Sequence, residues 1–221
     1  MIWRRIICRS LPRRAVVEAA KDAFWETGYL GTGMSDLEHS TGLNRSSIYL
    51  AFGSKRALFE LAMGRYTEDV IDRLVGGMET PSAGLPEVVA FFTGLRDTLS
   101  RDTESRRGCL MVNTIAELAG RDEATTLRGV AYRDRLRRAF AHALKGAAER
   151  SEFDGATIRR RAWALAAFTF GAWLSAPIDP VDACQLCDEI VSDVESWRLP
   201  GKRTAGVRHE QVRGPAAEAL G

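Results

Sequence analysis

The chain has 221 residues, of which 45% are hydrophobic and 27% charged, and its formal net charge is +2. This composition is typical of a globular protein with a buried core, and it excludes a disordered or fibrous chain. The length fits two modest domains. The longest apolar stretch, residues 162–176, is shorter than the roughly 18–20 residues of a membrane span. We therefore expect a cytoplasmic protein with no membrane contact.

Residues 1–10 form a basic arm at the start of the chain. Arg9, Arg13 and Arg14 follow the apolar opening at once and no small-residue cleavage site appears, so a signal peptide is not predicted. Two interpretations of the arm stay open. It contacts DNA phosphates, or it is a loose extension that results from an early start codon.

The next fifty residues predict three short helices. Apolar residues at helical spacing run from Pro12 to a stop at Gly28. A second helix covers residues 32–42, with acidic side chains near its positive N-terminal end. Asn44 is a good cap for a third helix over residues 45–52.

The turn at residues 41–44 has the length and the glycine position of a DNA-binding helix-turn-helix, which predicts a DNA-binding domain over residues 11–53. Residues turn by about 100° each along a helix, so an inward Ile48 leaves a small, polar opposite face with one aromatic hydroxyl. That outward face carries Ser46, Ser47, Tyr49 and Leu50. Arg45, at the helix start, has the reach for a guanine edge or a phosphate.

Residues 54–77 predict a connecting helix that Ser54 caps. Lys55 and Arg56 lie in its first turn, where the helix dipole disfavours cations. A DNA phosphate would offset this cost, because free backbone amides, the Ser54 hydroxyl and the Lys55 ammonium together form an anion site. The alternative is that Lys55 points into water.

Residues 78–199 predict a larger helical domain. No alternating strand pattern interrupts the helical periodicity after a linker at residues 81–86, so the fold class is all-α, with an N-terminal three-helix helix-turn-helix domain before the larger helical domain. The predicted helices cover residues 86–99, 110–119, 122–150, 155–176 and 180–197. Residues 200–221 are poor in large apolar side chains, and we expect them to be a disordered tail.

The four cysteines predict no chemistry. They are too unevenly spaced for a disulfide framework, so we expect reduced thiols. Cys184 and Cys187 have the spacing of a redox or zinc pair, but they lie inside a predicted helix without a second pair, and we interpret them as packing residues. Cys109 and His142 lack a base-orienting partner. We expect no catalytic residue, no metal site, no cofactor and no enzyme activity.

The motifs of the N-terminal domain resemble the TetR family of transcriptional regulators. A helix end, two caps, a turn and an aromatic-Gly-Ser-Lys junction occur in one order, as FWETGY at residues 24–29, TGMSDL at 32–37 and TGLNRSSIYLAFGSKRALF at 41–59. The resemblance implies that double-stranded operator DNA is contacted by Thr32, Arg45, Ser46, Ser47, Tyr49, Leu50 and Lys55. The sequence departs from the family's usual residues at Gly33, Leu50 and Ala51. These departures predict that one phosphate contact is missing and that fewer side chains contact DNA bases.

Beyond residue 77 the resemblance is weaker, although GCLMVN at residues 108–113 is similar to a segment of one TetR subgroup. The family implies a ligand pocket among the central helices. Candidates that combine apolar walls with a few polar groups are Phe91, Phe92, Leu95, Met111, Asn113, Thr114 and Trp173. A plain core explains the apolar candidates equally well. The implied effector is a small apolar or amphipathic molecule.

The family also implies a homodimer that forms through the last two long helices. A stripe on the helix at residues 155–176 agrees, because it mixes small and large residues as a closely packed helix pair needs. The stripe contains Trp163, Ala166, Ala167, Phe170, Gly171 and Leu174. The resulting hypothesis is a ligand-responsive regulator, a repressor that a small molecule releases from its operator; the alternative is a ligand-insensitive DNA-binding regulator.

Overall fold

The computed structural model describes residues 12–101, 107–148 and 154–197, and within these ranges it contains helices and no strands. The elements in chain order are α1 (Arg13–Gly31), α2 (Met34–Thr41), α3 (Arg45–Phe52), α4 (Lys55–Tyr66), a π-helical turn (Thr67–Ile71), α5 (Asp72–Gly76), a 3-10 turn (Gly77–Glu79), α6 (Leu85–Leu99), α7 (Leu110–Leu118), α8 (Glu123–Ala148), α9 (Gly155–Ser175) and α10 (Pro180–Ser196). The predicted all-α fold is confirmed. The predicted arm and tail lie outside the described residues.

The sequence predicted that the first helix ends at Gly28, and the regular helix does break at this residue. Its φ of +76° breaks the helical geometry, and one further turn follows it. The carboxylate of Glu117 on α7 caps that turn, accepting hydrogen bonds from the backbone N–H groups of Tyr29 (2.9 Å) and Leu30 (2.7 Å). A Cβ at Gly28 would lie 2.9 Å from the Glu117 oxygens, so glycine suits both the backbone angle and the close approach.

The connecting helix is also different from the prediction, because a π-helical turn at Thr67–Ile71 interrupts it. Such turns are rare and occur mostly inside α-helices, frequently at functional sites. The side chain of Arg65 pairs with Asp69 inside the turn, at 2.7 Å between Nε and Oδ2. The connection between the two halves of the molecule is thus helical but not uniform.

The helices pack in two groups, one in the N-terminal part of the chain and one in the C-terminal part, and each group encloses part of the hydrophobic core. In the N-terminal part, α1 packs on α2 and α4 around Phe24, whose ring meets the Phe59 ring edge-on with 5.0 Å between centroids. In the C-terminal part, α6 packs on α10 and α8 packs on α9. None of the helices within the described ranges combines the length and the apolar character needed to cross a membrane.

Candidate nucleic-acid interface

The helix-turn-helix forms from strong local signals. α2 ends at Gly42, which adopts a left-handed conformation with φ +67°. α3 begins after Asn44, whose Oδ1 accepts a hydrogen bond from the Ser47 backbone N–H at 2.8 Å. Ile48 and Phe52 of α3 are buried. The inward side of α3 is therefore fixed by packing, and the opposite side is left for a partner.

The outward side of α3 carries the residues that the sequence predicted, and we call it the reading face. It consists of Arg45, Ser46, Ser47, Tyr49 and Leu50. Leu50 is 91% exposed, so its side chain is free to meet a partner. The guanidinium carbon of Arg45 lies 5.8 Å from the centroid of the Tyr49 ring. The face combines small polar groups, one phenol and one cation, which fits the edge of a DNA groove.

Thr32 occupies a different environment from the reading face. Its side chain has no exposed surface, and its hydroxyl donates to the carbonyl oxygen of Gly28 at 2.6 Å and lies 2.8 Å from the Thr27 hydroxyl. The hydroxyl therefore holds the junction between α1 and α2 together. Its position argues against the predicted contact between this side chain and the DNA backbone.

Lys55 lies at the start of α4, above an aromatic ring. Its Nζ is 4.5 Å from the centroid of the Tyr29 ring, which offsets part of the unfavourable helix dipole. The Ser54 hydroxyl oxygen accepts from the Ala57 backbone N–H at 3.0 Å and caps the helix. The sequence predicted that Lys55 contacts a phosphate or points into water. It did not predict the contact with Tyr29, which is 26 positions earlier in the sequence.

The neighbouring Arg56 points away from the DNA side, towards the C-terminal helices. Its guanidinium makes two hydrogen bonds to the Asp122 carboxylate, of 3.1 and 2.9 Å, and pairs with Glu60. Hydrogen bonds from Thr125 and from Arg56 lower the pKa of Asp122. Glu60 also pairs with Arg128 of α8. These ion pairs tie α4 to the start of α8.

We call these contacts, together with the Glu117 cap on Tyr29 and Leu30, the joint between the two halves. The Trp25 indole N–H adds a hydrogen bond to the carbonyl oxygen of Gly108, at 3.1 Å. Sequence reasoning missed the joint. The partners that cross between the two halves are between 66 and 88 positions apart, so no local pattern reports them.

The predicted ligand-pocket residues lie mostly in the packed interior. The buried members are Phe91, Phe92, Leu95, Met111, Thr114 and Trp173. Phe91 and Phe92 form an aromatic cluster with Phe140, and the Asn113 amide donates to the carbonyl oxygen of Arg107. The Trp173 indole nitrogen is buried and has no hydrogen-bond partner among the described residues.

A cleft opens between the π-helical turn and α8, with a volume of about 260 Å³. It is lined by Thr67, Ile71, Met111, Arg128, Ala131, Tyr132 and Arg135. Met111 is the member of the predicted pocket that contributes to this cleft, and the other six predicted residues are not part of its lining. The sequence did not reveal the cleft, because its walls come from three separate segments.

The predicted dimer stripe divides between two faces of α9. Trp163 is 59% exposed, Leu174 and Ala167 are exposed, and a Cβ at Gly171 would meet open space. Phe170 instead turns inward and packs on Tyr132, with 5.6 Å between ring centroids. Ala166 is buried. The exposed Phe168, which the sequence analysis did not single out, lies on the outward face.

The three cysteines within the described ranges, Cys109, Cys184 and Cys187, are free thiols. Cys187 is buried in α10, and burial raises its pKa to about 12. Cys109 is buried beside Tyr66, whose hydroxyl donates to its Sγ at 3.3 Å, and burial raises its pKa. No group of three or more His, Cys, Asp or Glu side chains in the described ranges is placed to hold a metal ion.

The helix-turn-helix is similar to that of a known protein family. Residues 16–62 match the family described as bacterial regulatory proteins, tetR family. The uncharacterized HTH-type transcriptional regulator YezE of Bacillus subtilis (strain 168) is 29% identical over 140 residues, or 63% of this chain and 72% of that protein. The HTH-type transcriptional repressor ComR of Escherichia coli (strain K12) is 28% identical over 120 residues, or 52% of this chain and 56% of that protein.

Solved structures extend the similarity beyond the helix-turn-helix. A cysteine mutant of the TetR family transcriptional regulator CifR, complexed with 26-base-pair double-strand operator DNA, matches with a TM-score of 0.68 and 25% identity. The match covers 83% of this chain and 97% of that chain. The chain is thus similar to the TetR family of DNA-binding transcriptional regulators, in its helix-turn-helix sequence and in its overall fold.

Proposed function

We propose that the protein is a homodimeric repressor that works in the cytoplasm and that a small molecule releases from its operator. In this role the reading face enters the major groove, and Lys55 at the start of α4 contacts a phosphate. The exposed polar and aromatic groups of the reading face support this arrangement, because such groups can reach base edges in the groove. The similar CifR is complexed with operator DNA, and the similar ComR is named a repressor. The proposed role is regulation and not catalysis.

The proposed dimer forms through α9 and α10. Exposed apolar side chains continue from the outward face of α9 into the start of α10, where Ile178 is 85% and Val181 is 75% exposed. Burial of such a surface favours association at roughly 25 cal/mol per Å² of apolar area. A two-fold dimer reads two half-sites separated by about one DNA turn or a multiple of it.

The observation that carries the proposed ligand response is the joint. Arg56 and Asp122 form a bidentate ion pair between the two halves, and the Glu117 carboxylate caps the last turn of α1. The C-terminal helices therefore hold the helices that position the reading face. A ligand that shifts α7 or α8 acts on α1 and α4 through these contacts, which is what coupling between two sites requires.

Reciprocal binding measurements test this proposal. A ligand found by thermal shift should weaken operator affinity by the same factor by which operator weakens ligand affinity, with a coupling of roughly 1–3 kcal/mol. Asp122→Asn should reduce that factor, because it weakens the pair with Arg56. Asp188→Asn is the matched control, since it removes an ion pair between Asp188 and Arg96 within the C-terminal half.

The alternative function is ligand-insensitive DNA binding. In that case a ligand that stabilises the protein leaves operator affinity unchanged, and the screen finds no other binder. This result would contradict the proposed ligand response and would favour the alternative. Equal coupling in the wild type and in Asp122→Asn would keep a ligand response but would exclude the joint as its route.

A further inference from the structure

The cleft beside the π-helical turn has the size and the lining of a small-ligand site. Its volume of about 260 Å³ is just below the roughly 300–1,000 Å³ of pockets for drug-sized ligands. Ile71, Met111 and Tyr132 are buried and give it an apolar floor. Such a space suits a compact molecule with a mainly apolar body.

Two buried hydrogen-bond donors in the cleft lining lack a partner among the described residues. One is the hydroxyl of Tyr132, a residue that is only 5% exposed, and the other is Nη1 of Arg128. Burial raises the pKa of Tyr132 well above its usual value, so its hydroxyl keeps its proton at neutral pH. Buried polar groups are nearly always paired, so an unpaired donor on a residue that lines a cavity is a candidate to bind an acceptor there.

The charges around the cleft favour a neutral acceptor over an anion. Glu60 already pairs with Arg128. Arg135 is held by Asp72 at 2.5 Å and by Glu79 at 2.8 Å. These three carboxylates offset the two guanidinium groups, so the cleft has no surplus positive charge to attract a carboxylate or phosphate.

We propose that this cleft binds a small neutral carbonyl compound, such as a ketone, ester or amide with an apolar body, whose oxygen accepts a hydrogen bond from the Tyr132 hydroxyl. The inference rests on the proposed function and names the ligand class and the site. Thr67 and Ile71 are the first and last residues of the π-helical turn, and both line the cleft. A ligand in the cleft would therefore contact the π-helical turn. This turn follows α4 directly, and α4 follows the helix that carries the reading face.

Calorimetric titration with defined probes tests the inference. The probes are acetophenone and methyl benzoate, and ethylbenzene is the matched compound without an acceptor. The variants are Tyr132→Phe, which removes the unpaired hydroxyl, and Ala131→Trp, which blocks the cleft at an exposed position. Tyr66→Phe is the control, because its hydroxyl is buried but partnered by Cys109 and is not part of the cleft lining.

We expect at least one carbonyl probe to bind the wild type and Tyr66→Phe alike. Its Kd should rise about tenfold in Tyr132→Phe, the usual effect of one lost hydrogen bond. Binding should disappear in Ala131→Trp and should be weak for ethylbenzene. Thermal unfolding should show Tyr132→Phe to be at least as stable as the wild type, because no intramolecular hydrogen bond is lost.

Three results would overturn the inference. They are the absence of binding by both carbonyl probes, equal affinity in the wild type and Tyr132→Phe, and equal affinity for ethylbenzene. An effector that releases operator equally well from the wild type and from Ala131→Trp would also overturn it, yet would leave the proposed function standing. Loss of all effector response with intact probe binding would contradict the proposed function alone.

Discussion

The helix-turn-helix and the C-terminal helices differ in how their sites are built. The reading face comes from one helix of eight residues, with a cap at Asn44 and a left-handed glycine at Gly42 on either side of the turn. The cleft draws its walls from the π-helical turn, α7 and α8. A site on one helix can be read from its period, whereas a site between helices depends on how they pack.

The two regions also differ in what their exposed apolar residues indicate. Leu50 lies on a short helix whose other side is packed, beside polar side chains and a cation. On α9 and after it, exposed large apolar side chains are more numerous and include Trp163, Leu174, Ile178 and Val181. The first surface suits the edges of a DNA groove and the second suits a protein surface, in keeping with the more apolar core of homodimer interfaces.

A pair of substitutions within the N-terminal region should separate packing from reading. Phe24→Ala removes a fully buried ring that contacts Phe59, so we expect a loss of roughly 3–5 kcal/mol in the free energy of unfolding. Leu50→Ala should change the same quantity by no more than about 0.5 kcal/mol, because its side chain is exposed. Urea denaturation measures both. A large loss in Leu50→Ala would mean that this residue packs within the protomer.

A substitution on the C-terminal region tests the second surface. Gly171→Trp should yield monomers, because the new side chain prevents the close approach of two α9 helices in the proposed dimer, while a Cβ at this position has no protomer atom within 4 Å. Light scattering gives the oligomeric state, and circular dichroism checks that the helices persist. If Gly171→Trp remains a dimer, the interface lies elsewhere.

The helices were predicted well where their ends carry local signals. Asp154 accepts a hydrogen bond from the Thr157 N–H at 2.7 Å and begins α9 where the sequence indicated. Pro180 is a second local signal, because its fixed φ suits the first turn of α10. The outward residues of α3 followed from its angular period alone.

Features that depend on distant contacts escaped the sequence analysis. Glu117 caps the turn after Gly28 from 88 and 87 positions along the chain, so no local pattern reports it. Thr32 has a residue type suited to phosphate contact, but its hydroxyl is enclosed by α1. Phe170 packs on Tyr132, a contact that a stripe of mixed residues on one helix does not reveal.

The salt dependence of operator binding is the most direct test of the claim that α3 and the start of α4 grip DNA. Each phosphate contact adds about 0.9 to the slope of log affinity against log salt concentration. We predict that Lys55→Ala weakens binding and lowers this slope by about 0.9 per protomer. Tyr49→Phe should weaken binding about five- to tenfold, as for one lost hydrogen bond, with the slope unchanged. Unchanged affinity in both variants, with intact helical signal, would contradict the assignment of this surface to DNA.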